Sequence, residues 1–331
     1  MPGAGMRRET MQKENRPRLT NSFIQILSGS DLSKRRLPYM VMKSAEPGPV
    51  LWLTGCMHGD EIGGTVVIHE IFRRLRRSLI RGTVHAFPLM NPMGFETVSR
   101  TIVLSKEDLN RSFPGNSTGT LAERIAQIIF SRIITTSPTL VLDLHNDWNK
   151  SIPYALLDPL FAVGANGLLG ALKEFAGVTG LLLVEDTEEI RKSLSYTLLQ
   201  EKVPALTLEL GESLTINEKN IENGVNAIWN ILMFLRMVPV QAEYFRYPAP
   251  DLATGKILRY SLHPLSATSG IIHFLKKPGQ IVYSGQKIAR IQNAFGKITE
   301  IITAGKDGVV LGHSDYAVTF PGSPVMAFGC F

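Results

Sequence analysis

Apolar positions along this chain follow two alternating periods. Short runs such as Val50-Leu51-Trp52-Leu53, Leu140-Val141-Leu142-Asp143-Leu144 and Ala205-Leu206-Thr207-Leu208-Glu209-Leu210 have the length and composition of strands, and segments of helical period separate them. The pattern predicts strands near 22–28, 37–43, 50–54, 83–88, 139–144, 180–184 and 204–210. Helices are predicted near 61–77, 119–135, 160–176, 190–201 and 217–236. The last of these opens at Asn217 with Glu218 and Glu222 near its positive end, and aligns Ile221, Val225, Ile228, Trp229 and Leu232 on one face. Such a helix should cover one side of a sheet, and strands alternating with helices specify an α/β class.

Beyond Pro239 the pattern changes. Tyr244-Phe245-Arg246-Tyr247-Pro248-Ala249-Pro250 reads as a linker, and short β-type runs then recur between turns at Pro278-Gly279, Ser284-Gly285 and Asp307-Gly308. The expected organisation is a flexible N-terminal tail over 1–20, an α/β domain over 21–239 with its sheet flanked by helices, and an all-β domain over 240–331. The last part resembles the barrel-sandwich hybrids of lipoyl and biotinyl carriers. It lacks their modifiable lysine motif, which points to a structural or access-shaping role.

Composition narrows the setting. A chain of 331 residues can bury a large core without staples, and its two cysteines, Cys56 and Cys330, lie too far apart in sequence to suggest a disulfide framework. Met1 to Pro17 is polar and basic without a signal-peptide core, and no stretch of about 18 residues is free of charge and apolar throughout. The expectation is a soluble cytoplasmic protein with no membrane partner. The net charge of +6 and the run Arg73-Arg74-Leu75-Arg76-Arg77 raise the question of nucleic acid. Those arginines continue the amphipathic series Val66, Val67, Ile71, Leu75, so they read as the solvated face of a helix, and no aromatic residues interleave with them as a base-stacking surface requires.

Chemistry concentrates where the predicted strands end. His58 and Glu61 follow the strand at 50–54, His145 closes the one at 139–144, and Glu209 lies in the one at 204–210. Ligands of open α/β sheets gather at carboxyl ends of strands, and two imidazoles with a carboxylate are a common donor set for catalytic zinc, leaving one position open. Any one of these residues alone is an ordinary loop or core residue; their coincidence, with glycines at 55, 59, 63 and 64 permitting tight turns, is what carries information. Cys56 reads as a small core residue, and His69, His85, His263, His273 and His313 as ordinary ones.

A polar cassette lies between the histidines. His58-Gly59-Asp60-Glu61, Asn91-Pro92 followed by Arg100, Asp108-Leu109-Asn110-Arg111, Asp143-Leu144-His145 and Leu208-Glu209-Leu210-Gly211 occur in the order seen in the succinylglutamate desuccinylase and aspartoacylase family, which this chain resembles over about residues 45 to 235. The β region beyond also looks like that family's second domain. The resemblance implies a zinc carboxypeptidase-like mixed sheet and one Zn2+ per chain held by His58, Glu61 and His145. It implies Glu209 as the general base, Arg100 as the group that polarises the scissile carbonyl, Asn110 and Arg111 as a clamp on a substrate carboxylate, and Asp108 as the carboxylate that orients the first histidine. Tyr154 and Arg191 are candidates for substrate contact by type and region only.

The implied activity is hydrolysis of the amide bond in a small N-acyl amino acid or related carboxylate. A metallocarboxypeptidase acting on short peptides uses the same machinery, and a non-catalytic protein that binds a small carboxylate keeps the same fold. A homo-oligomer stays open, and so do the acyl group and the amine.

Overall fold

The computed structural model describes residues 16–159, 167–187 and 190–331. Its strands are β1 (Arg18–Ser28), β2 (Lys34–Lys43), β3 (Val50–Gly55), β4 (Thr83–Phe87), β5 (Leu140–His145), β6 (Lys150–Ser151), β7 (Pro153–Leu157), β8 (Leu182–Glu185) and β9 (Ala205–Leu210). The C-terminal part adds β10 (Ile257–Ser261), β11 (Gly270–Phe274), β12 (Ile281–Val282), β13 (Lys287–Gln292), β14 (Ile298–Thr303), β15 (Gly308–His313), β16 (Val318–Thr319) and β17 (Met326–Cys330). The α-helices are α1 (Gly63–Ser78), α2 (Pro92–Glu96), α3 (Leu121–Ile134), α4 (Leu168–Val178), α5 (Leu194–Gln200) and α6 (Glu218–Phe234). None is long and apolar enough to cross a membrane.

The large sheet has 13 strands in the order β1-β2-β4-β3-β5-β9-β7-β8-β10-β17-β15-β12, with β6 beside β15. Its centre is parallel through β4, β3, β5 and β9; β7 then runs antiparallel to β9 and resumes a parallel set with β8 and β10. Strands from beyond residue 240 enter this sheet, and β14-β13-β11-β16 form a separate antiparallel sheet of four. Nearly continuous apolar sequence in β3 and β5 is what a parallel strand buried on both faces requires, and both strands are buried along almost their whole length.

Register separates the two faces. Leu142, Leu144, Leu206 and Leu208 point to one side, where Gly64 of α1 presses against Leu144 and Gly224 of α6 against Leu210 and Val67. The opposite face carries Trp52, Thr54, Asp143, His145, Thr207 and Glu209 in matching positions. There the Trp52 indole donates to Thr136, just after α3, at 2.7 Å, and α5 covers the part nearer β9. Helices therefore close both faces, and the polar residues of the central strands all lie on the second.

The expected strands form within a few residues of their predicted ends. β7 was not expected: its short run begins at Pro153 and ends before Asp158-Pro159, too brief and too proline-flanked for periodicity to declare it. The helix expected over 160–176 is observed from Leu168 to Val178, and 160–166 lies outside the described residues. That expected over 190–201 begins only at Leu194, because Ser193 takes an extended backbone and caps it by accepting from the Tyr196 N–H. No long helix follows Pro239 among the described residues.

Leu53 is fully buried in the centre of the sheet. Leu53→Ala should lower stability by roughly 2–5 kcal/mol, because the cavity cannot collapse between two covered faces. Urea unfolding checks this; an unchanged midpoint would show that the site repacks.

Candidate metal centre and its cavity

The centre is assembled by a sharp exit from β3. Cys56 adopts a left-handed backbone (φ 51) directly after Gly55, and His58 and Glu61 follow in the loop that leads to α1. Gly59 is packed so closely on the α2 segment that a Cβ there would fall 1.9 Å from the Gly94 carbonyl carbon, and its N–H donates to Ser99 O at 2.9 Å. Only glycine permits this contact of backbone on backbone, which fixes the height of the loop above the sheet. Cys56 itself is buried, its thiol donates to His58 O at 3.4 Å, and burial pushes its pKa up to about 12, the setting of the packed core residue expected.

His58, Glu61 and His145 come together as expected. Their ligand atoms lie within 4.8 Å of one another, and all three side chains are buried. His58 Nδ1 is 2.6 Å from Glu61 Oε1, and His145 Nδ1 is 2.8 Å from Glu61 Oε2. The opposite ring nitrogens face outer carboxylates: His58 Nε2 lies 3.1 Å from Asp108 Oδ1 and His145 Nε2 lies 2.9 Å from Asp143 Oδ2. Asp108 is held by the Asn110 N–H at 2.8 Å, and Asp143 by the Thr54 hydroxyl at 2.6 Å. Each ring thus has one nitrogen turned inward and one fixed by an anion, the arrangement that orients metal-binding histidines.

Charge balance explains the titration of the group. Burial disfavours the charged forms of both rings, yet Glu61 raises His58, and Asp143 together with Glu61 raises His145 well above the usual histidine range. Burial acts against the Glu61 carboxylate too, but the two imidazoles outweigh it and hold its pKa below the carboxylate range. Two nitrogens and an oxygen converging in a buried, anion-backed cluster suit a single divalent cation, which would replace the protons that hold the cluster together without it.

Arg100, Asn110, Arg111, Tyr154 and Glu209 line a cavity of about 760 Å³ that His58, Glu61 and His145 also line. Arg100 reaches Asp108 Oδ2 through Nη2 at 3.1 Å and Glu61 Oε1 through Nη1 at 3.4 Å, so its guanidinium stands over the cluster's rim. Asn110 accepts from the Leu194 N–H at 2.9 Å, leaving its amide N–H groups for a ligand, and Arg111 lies beside it on the cavity wall. Glu209 pairs in register with His145 and faces the same space; its Oε2 is buried with no hydrogen-bond partner among the described residues. Burial first, and Asp147 second, raise the Glu209 pKa well above the usual range. Tyr154 lines the cavity and donates to Asp147 at 2.8 Å, whereas Arg191 is not among the lining residues.

Sequence reasoning missed the roles of Asp143, Asn146 and Asp147. Asp143 was legible by strand period, since it stands two residues before His145 and must share its face. Asn146 was not: its side chain accepts from the Gly63 N–H at 2.9 Å while its own N–H donates to Glu61 Oε2 at 3.2 Å, a bridge between loops distant in sequence. Asp147, pushed up to about 7 chiefly by burial, takes its importance from Tyr154 and β7.

Residues 47–235 match the catalytic-domain family described as succinylglutamate desuccinylase/aspartoacylase. The chain is 30% identical over 289 residues to an N-alpha-acetyl-L-2,4-diaminobutyric acid deacetylase of Halomonas elongata, covering 83% of this chain and 80% of that protein. The fold matches the product-bound ectoine utilization protein EutE (DoeB) of Ruegeria pomeroyi with a TM-score of 0.80 at 21% identity, over 95% of each chain. A metallo-carboxypeptidase of Burkholderia cenocepacia superposes with a TM-score of 0.50 at 17% identity, over 65% of each chain.

Asp143→Asn should weaken metal binding by about 10–100-fold with little change in fold, since it removes the anion that fixes the His145 ring. Competition for Zn2+ against a chromophoric chelator reads this, and an affinity equal to wild type would show that Asp143 does not orient the ligand.

Proposed function

The chain belongs to the succinylglutamate desuccinylase/aspartoacylase family of deacylases, structural relatives of the metallocarboxypeptidases, and on that premise we propose that it is a zinc-dependent deacylase of small N-acyl amino acids. The observation that carries this reading is the Glu209 carboxylate, whose Oε2 is buried with no hydrogen-bond partner among the described residues, facing the same cavity as the His58–Glu61–His145 cluster. A site for binding alone has no use for a base in that position. The Halomonas elongata relative is named for removal of an Nα-acetyl group from an amino acid, which supports the same class of bond.

Zinc held by His58, Glu61 and His145 would supply Lewis acidity, which lowers the pKa of a water to about 7. Glu209 accepts a proton from the attacking water and returns it to the departing nitrogen. Its raised pKa brings it toward the range where both transfers are efficient. Arg100, standing over the cluster, compensates the negative charge that develops on the carbonyl oxygen. Arg111 and the free amide of Asn110 hold the substrate's carboxylate, for which a guanidinium is the geometric match.

Substrate size follows from the cavity walls. Tyr260, Ser261, Leu262, His263 and Pro324, all from the C-terminal strands and loops, line the same cavity. An enclosing wall there supports a short ligand over a peptide lying in a groove, so deacylation is favoured over carboxypeptidase action.

Glu209→Gln should keep one zinc per chain while kcat falls by about 10²–10⁴-fold, checked by metal analysis alongside amide hydrolysis. Arg111→Ala should act mainly on KM, raising it roughly 10–100-fold through loss of a charge-assisted hydrogen bond. Both are read with N-acetyl, N-succinyl and N-formyl amino acids beside short peptides. Turnover of peptides in preference to acyl amino acids would reverse the assignment.

A further inference from the structure

An arginine run that the metal centre leaves unused closes α1. From residue 71 to residue 95 the chain carries five arginines and no acidic residue, and four of the five, Arg73, Arg74, Arg76 and Arg77, fall in the last two turns of that helix. Val67, Ile71 and Leu75 are buried on its other face, as the solvated-face reading requires. The four arginines nevertheless converge: all line one cavity of about 480 Å³, together with Asn226 and Trp229 of α6. No acidic side chain lines it. With 16 residues α1 is ~24 Å long, and the cavity lies at the end away from Glu61, so it is separate from the metal site.

One carboxylate serves two of these guanidiniums. Arg73 Nη2 and Arg74 Nε both reach Glu70 Oε1, at 2.6 and 2.7 Å, and Arg73 Nε reaches Oε2 at 2.7 Å. The Arg74 guanidinium also lies over the Trp229 ring, its Cζ 6.0 Å from the centroid. Arg76 and Arg77 are exposed and enter no ion pair or hydrogen bond among the described residues. The α1 dipole favours cations in its last turn, but Arg73 with Arg76 and Arg77, and Arg74 with Arg77, stand at spacings of three and four, where like charges repel. Four guanidiniums against one carboxylate leave a concave surface that is strongly cationic. Arg76 and Arg77 also border a second cavity, of about 770 Å³, but Glu46 lines that one and brings a carboxylate of its own.

We propose that the acid-free cavity between α1 and α6 is a binding site for a small phosphate-bearing anion, held chiefly by Arg76 and Arg77, with Arg73 and Arg74 adding to the field. A guanidinium fork matches phosphate oxygens two at a time, and a phosphate has oxygens enough to meet two forks at once, where a single carboxylate meets one. The limited volume suits a small ligand. A nucleic-acid strand needs an extended cationic track with aromatic side chains for successive bases, and Trp229 is the one aromatic residue lining this cavity. The site does not depend on the reaction at the metal.

The test titrates the full zinc-loaded chain with inorganic phosphate in about 150 mM NaCl, where exposed charges are screened beyond ~8 Å. Tryptophan fluorescence should change saturably, because the ligand alters the charge over the Trp229 ring, and Trp229→Phe should abolish the change. That control separates this cavity from the zinc. Arg76→Ala combined with Arg77→Ala should weaken phosphate binding roughly tenfold or more, at an unchanged urea midpoint. Glu70→Gln releases Arg73 and Arg74 and should tighten binding roughly twofold to fivefold, a gain that damage to the fold cannot produce. No saturable change, a change that survives Trp229→Phe, or equal affinity in the double variant overturns the site. Succinate bound as tightly as phosphate overturns its assignment to phosphate.

Discussion

A single buried carboxylate ties the site together. Glu61 gives one oxygen to His58 and the other to His145, joining a loop that leaves β3 to the end of β5. Two imidazoles drawn this close repel when protonated, and a carboxylate taken out of water needs compensation, so each member of the cluster is tolerable only because the others are present. The neighbouring parallel strands β3 and β5 bring the two chain segments side by side. The left-handed turn at Cys56 and the contact of Gly59 with Gly94 then set how far the loop reaches over them.

Around that cluster the chain supplies a second ring of anions. Asp108 and Asp143 lie behind His58 and His145, and each is itself held, by a backbone N–H and by the Thr54 hydroxyl respectively. This graded support explains why so many polar groups are found on one face of an otherwise apolar sheet. Ring orientation is set by these carboxylates, and both inward nitrogens face the Glu61 carboxylate, one on each oxygen.

The C-terminal strands complete the cavity more than they stand apart from it. β10 pairs with β8 in the large sheet, and residues from Tyr260 to Leu265 follow directly onto the cavity wall. The strand that reverses direction, β7, gives the cavity its length, because it carries Tyr154, Leu156 and Asp158 down the face while β9 carries Glu209 and Thr207 up it. As a result of that reversal Glu209 and the His58–Glu61–His145 cluster lie toward one end of the shared face and Asp158 toward the other.

The chain's local patterns were enough to place β3, β5 and β9, the long helices α1, α3 and α6, and the residues His58, Glu61, His145 and Glu209 at strand ends, since period and residue type are properties of neighbouring positions. Even Asp143 could have been read from its two-residue offset to His145. What sequence could not decide was pairing: that proline-led β7 joins the sheet antiparallel to β9, that Asn146 bridges to Gly63, or that Asp158 lies on the cavity face with Asp186 beside it. Those facts arise from contacts between segments far apart along the chain, whose closure depends on the packing of the whole sheet, and no local periodicity encodes them.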